Sequence, residues 1–143
     1  MRQPKIIAVL NRALATVYRS LPIFVEEVQP WSHPGDEKAA QLLQNLVADQ
    51  KQYAAKIADL ILDLNGCPDA GAYPIVYTDL HLLSLDYLLL EIAEQQKRDI
   101  AVLDDCLSAA QGDVRAAALL AEVLGNARGH LESLEQSQGQ SAN

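Results

Sequence analysis

Residues 46–66 read LVADQKQYAAKIADLILDLNG. Leu46, Val47, Ala54, Ile57, Ile61 and Leu64 recur at three- and four-residue spacing, with charged residues between them. That period places the apolar groups along one side of an α-helix, whereas a strand would alternate every second residue. Asn65-Gly66 ends the pattern with residues that accept a left-handed backbone, a common helix stop. Two polar residues interrupt the stripe. Gln50 falls near its centre and Tyr53 on its flank.

Extending the stripe backwards through Leu43 and Ala39 gives a helix from about Asp36 to Leu64. Three more amphipathic segments surround it. The first runs from about Pro4 to Val28 through Ile6, Leu10, Ala13, Val17, Leu21 and Phe24, with a kink expected between Tyr18 and Pro22. The third starts near Thr78 or Asp79 and continues to about Ala110, on a stripe that includes Leu85, Leu88, Ile92, Gln96, Asp99 and Leu103. The fourth is capped by Asp113 and runs to about Leu134 through Ala116, Leu120, Val123, Ala127, His130 and Leu131. The tail 135–143 is rich in Ser, Gln and Gly and is expected to fray.

No convincing strand appears. Pro30, Pro34 and Gly35 mark a short turn after the first helix, and Gln111-Gly112-Asp113 marks another before the fourth. The stretch from Cys67 to Tyr77 is longer than an antiparallel helix hairpin needs. A connector of that length can run along the outside of a bundle and leave the second and third helices parallel. The fold expected is a single all-α domain over residues 1–143, a four-helix bundle with a long crossover connection.

The fourth helix carries the same interruption as the second. At about 100° per residue, Ala127 lies at the centre of its apolar face and His130 on the same flank. Val17 marks the middle of the first stripe. Gln96 and Asp99 face inward on the third helix, and Glu91 lies near its boundary.

Here the chain resembles the ferritin-like superfamily, in particular its bacterioferritin and rubrerythrin-type members. The segments that carry the likeness are LNRALATVY (10–18), LVADQKQYAAKIADLILDLNG (46–66) and EVLGNARGHLE (122–132). The resemblance implies a di-iron site built from one Glu on each of two helices and a Glu-x-x-His pair on each of the other two. Position by position, the first-helix Glu falls on Val17. The second-helix pair falls on Gln50 and Tyr53, and the last pair on Ala127 and His130. The third-helix Glu falls on Gln96 by helical phase, or on Glu91 by the local Leu-Glu pattern.

Two irons need several anionic oxygens around them. Val and Ala supply none, the Gln carbonyl is neutral, and neutral Tyr is a poor ligand for ferrous iron. The resemblance therefore implies a degenerate di-iron site. No catalytic residue, metal or cofactor is expected, and di-iron oxidase or ferroxidase activity is not expected either. The residues point first to a non-catalytic protein acting as an oligomerisation or interaction module. One alternative is an unorthodox metal site using Asp49, Glu91, Asp99 or His130. Another is a small-molecule pocket beside Val17 and Ala127. In the first reading, Gln50, Tyr53, Gln96 and His130 hydrogen-bond one another across the core.

Composition narrows the partners. The chain has 143 residues and a net charge of −8, from 19 acidic and 11 basic residues, so attraction to a phosphate backbone is not expected. Half the residues are hydrophobic, with one Phe, one Trp and one Met, which suits a helical core of Leu, Ala, Ile and Val. Cys67 and Cys106 form no Cys-x-x-Cys pair, so a zinc site is not expected. With no signal-peptide pattern, they read as reduced thiols of a cytoplasmic protein. No apolar run is read as long enough to span a bilayer, so no membrane partner is expected. Ferritin-like bundles commonly pair, so the resemblance implies a homo-oligomer, with a dimer favoured. His33 and His81 read as turn and capping residues. Gly125 and Gly129 lie on the outer side of the fourth helix, a spacing that suits close packing by another helix.

Overall fold

The computed structural model describes residues 2–28, 37–73 and 85–141. Five helices account for most of them: α1 (Arg2–Tyr18), α2 (Leu21–Val28), α3 (Glu37–Asp63), α4 (Leu85–Ala109) and α5 (Val114–Ser141). No strand occurs among the described residues. The expected starts of the third helix at Thr78 or Asp79, together with His33 and His81, lie outside the described residues.

The expected kink in the first helix is a full break. Ser20 lies between the two helices and caps the second. Its hydroxyl accepts from the Ile23 amide at 3.4 Å, and its carbonyl accepts from the Phe24 amide at 3.2 Å. Pro22 then sits in the first turn of α2, where a missing backbone donor costs little. By length and composition alone the α1–α2 stretch Gln3–Glu26 is apolar enough to cross a membrane, but it is broken ahead of Leu21. Half of its most apolar 18-residue window is buried inside the bundle, as in a core helix.

α3 stops as its sequence indicates. Asn65 adopts a left-handed φ of 64°. The Gly66 amide donates to the Ile61 carbonyl at 2.8 Å, and the Asn65 amide donates to the Leu62 carbonyl at 3.0 Å. This paired closure satisfies the carbonyls left over at a helix end. Packing also keeps position 66 small. A Cβ there would lie 2.9 Å from methyl carbons of both Ile61 and Ile7.

The chain then runs back along the first two helices. Asn11 Nδ2 donates to the Cys67 carbonyl at 3.1 Å, and Asn11 Oδ1 accepts from the Asp69 amide at 2.8 Å. Arg19 Nε donates to the Gly71 carbonyl at 2.9 Å. The Tyr73 ring meets Phe24 edge-on, with centroids 5.3 Å apart. Successive connector residues thus touch successively later positions on α1 and α2.

The core is divided in two. One cluster joins Leu10, Ile57, Ile61, Leu103, Cys106 and Leu120 with their neighbours. The other joins Ile23, Leu43, Leu46, Leu88, Ile92 and Leu134 with theirs. Each fully buried Leu or Ile contributes about 1.5–3 kcal/mol of transfer free energy. The buried polar residues fall where the clusters change over. Ser20 lies between Val17 and Leu21, Gln50 between Val47 and Ala54, and Gln96 between Ala93 and Leu103.

α5 opens on Asp113, whose Oδ1 accepts from the Ala116 amide at 2.9 Å. The helix does not stop near Leu134 but continues to Ser141. Glu and Gln are good helix formers, and no proline interrupts them. Gln138 Nε2 also donates to the Leu89 carbonyl at 3.1 Å, which ties the end of α5 to α4.

Candidate functional site

Five of the six positions singled out in the sequence meet at the change-over between the cores. Val17, Gln50, Tyr53, Gln96 and Ala127 line one largely enclosed cavity, together with Leu46, Val123 and Asn126. Its volume is about 20 Å³. One water needs roughly 10–15 Å³ of such space, and organic ligands occupy pockets of several hundred Å³. The space beside Val17 and Ala127 therefore has no room for an organic molecule.

The polar groups around this cavity do not form the mutual network expected of them. Each main partner is a residue outside the set, or a backbone group. Ser20 Oγ donates to Gln50 Oε1 at 2.8 Å, fully buried. Gln96 Nε2 donates to the Ala127 carbonyl at 3.1 Å. Gln96 Oε1 is buried without a partner. Tyr53 is half-buried and holds its ring beneath the Lys56 ammonium, 5.2 Å from the centroid. Burial is the main reason its hydroxyl titrates above the usual tyrosine range, and the Glu122 and Asp49 charges add to this. Axial register sets these partners: Ser20, at the break between α1 and α2, stands beside Gln50, and Gln96 stands beside the backbone of the small residue Ala127.

His130 turns away from the cavity towards the seam between α5 and α3. Its Nε2 lies 2.7 Å from Asp49 Oδ2, which also accepts from Asn126 Nδ2 at 2.8 Å. The Asn126 hydrogen bond is the largest influence holding the Asp49 carboxyl below its ordinary range. Partial burial opposes it, and His130 reinforces it. Of the alternative ligands read from the sequence, Asp49 and His130 are brought together, while Glu91 and Asp99 sit on α4. Among the described residues, no group of three or more His, Cys, Asp or Glu side chains is placed to hold a metal ion.

Asp99 is a separate feature. Its Oδ1 accepts from Gln95 Nε2 at 3.0 Å, and its Oδ2 is buried without a partner. Burial pushes its carboxyl up to about 6, against smaller opposing effects of Gln95 and Arg98. Burial likewise raises the Cys106 thiol, which keeps it protonated and unreactive at neutral pH, while Cys67 is exposed.

Sequence reading missed Ser20 and Asn126. Ser20 carried a signal, a cap residue two positions before Pro22. Asn126 stands four residues before His130, so the two share a helix face. Comparison with family models, curated proteins and solved structures gives no match for this chain.

Proposed function

We propose that this chain is a ferritin-like bundle that has lost the ligands of a di-iron centre and acts without catalysis, through its surface, as an oligomerisation or interaction module. The observation that carries the reading is the convergence of Val17, Gln50, Tyr53, Gln96 and Ala127 on one cavity. Under the resemblance, those are the former ligand positions. The set carries no carboxylate, so it offers nothing to offset the charge of two irons.

Topology supports the same reading. The starts of α3 and α4 share one core cluster, through Leu43 and Leu46 on one and Leu85 and Leu88 on the other. Their later halves share the other cluster, through Ile57 and Ile61 and through Leu103 and Cys106. Helices so arranged run parallel, which calls for a crossover such as a connector climbing along α1 and α2 would provide.

The test is metal analysis of protein purified from iron-supplemented cells. No stoichiometric iron is expected, and two irons per chain with ferroxidase activity would overturn the reading. One observation favours a second reading, a metal site on the α3–α5 seam: the 2.7 Å approach of His130 to Asp49. If that reading held, His130→Ala would abolish metal uptake.

A further inference from the structure

We propose that the cavity between the two cores is a binding site for one water molecule, held by Gln96 and by the donors of Gln50 or Tyr53. Gln96 is 2% exposed and lines the cavity, and its Oε1 has no hydrogen-bond partner. A buried carbonyl oxygen of this kind is among the groups that internal waters satisfy. The cavity's volume of about 20 Å³ accommodates one such molecule.

The lining decides the chemical class. It comprises Val17, Leu46, Gln50, Tyr53, Gln96, Val123, Asn126 and Ala127, with no charged side chain among them. A cation there would be buried without a counter-charge, at a heavy desolvation cost. An anion would face the Gln96 carbonyl. A neutral molecule that can both donate and accept meets the requirements. It donates to Gln96 Oε1. It accepts from the Gln50 amide, whose oxygen end is already occupied by Ser20, or from the Tyr53 hydroxyl. With one water in place, the polar groups of α3 and α4 are linked across the middle of the bundle. The inference needs only the cavity and the unpartnered acceptor, so it stands whether or not the chain descends from a metal protein.

A high-resolution crystal structure of the full chain tests it, paired with oxygen-17 magnetic relaxation dispersion in solution. The expected result is one ordered water within hydrogen-bonding distance of Gln96 Oε1. Gln96→Leu, or Gln96→Met if the leucine variant does not fold, removes that acceptor. The variant is expected to lose the crystallographic water and one long-lived water from the dispersion amplitude. A dry cavity, a metal ion at this position, or an unchanged amplitude in the folded variant overturns the proposal.

Discussion

His130 Nε2 and Asp49 Oδ2 stand 2.7 Å apart and join the last helix to the third. This contact lies one residue from Gln50, at the level where the two apolar cores change over. Its partners are partly exposed, at 16% for His130 and 38% for Asp49, so solvent screens much of their attraction. His130→Ala is therefore expected to cost only about 1 kcal/mol in urea denaturation at neutral pH.

Asn126→Ala removes the stronger influence on Asp49. The Asp49 carboxyl titrates below 3.8 in the folded chain, so its contribution is present above that pH and is lost as pH falls through the folded value. The variant is expected to be less stable than wild type at neutral pH, with the difference shrinking in strong acid. Urea denaturation across a pH series checks this.

Asp99 has the opposite sign. Its folded carboxyl titrates at about 6, above the ordinary 3.8. The folded chain therefore prefers the neutral acid, and ionisation costs stability that is intact below pH 3.8 and falls away as pH rises through 6. Asp99→Asn mimics the neutral form and preserves an oxygen for Gln95. It is expected to stabilise the protein by about 2–3 kcal/mol at neutral pH, as the size of the shift implies, and to have little effect in acid. Thermal denaturation at the two pH values tests the prediction.

Ser20→Ala leaves Gln50 Oε1 buried without its donor at 2.8 Å and weakens the cap of α2. A loss of about 1–3 kcal/mol is expected. Adding Gln50→Leu removes the stranded acceptor, so the double variant is expected to be more stable than the sum of the two single losses. Equal additivity in a double-mutant cycle would contradict the pairing.

The glycines divide into two kinds. Gly66→Ala forces a Cβ to 2.9 Å from Ile61 and Ile7 and is expected to destabilise the protein. At Gly125 and Gly129 an added Cβ meets nothing within 4 Å, so alanine is expected to stabilise each site by about 0.5–1 kcal/mol. Chemical denaturation of the three single variants checks both signs.

Much of the architecture was legible because helical period is a long, redundant signal. The stripe from Leu43 to Ile61 and the Asn65-Gly66 stop place α3 within a residue of its observed limits. The partners of the polar residues were not legible in the same way. Helical phase put Gln50 and His130 on inward faces, but a hydrogen bond also depends on axial register between helices. That register placed Ser20 rather than His130 beside Gln50, and Asp49 beside His130. α5 extends past its expected end near Leu134, since composition alone does not reveal the Gln138 contact to Leu89.

Under the proposed function, the positions around Gln50 and Gln96 hold no di-iron centre. Metal quantification on protein from iron-supplemented cells, followed by a ferroxidase assay, tests it most directly. No stoichiometric iron and no catalysed oxidation of ferrous iron are expected. Two irons per chain, with ferroxidase turnover, would contradict that expectation.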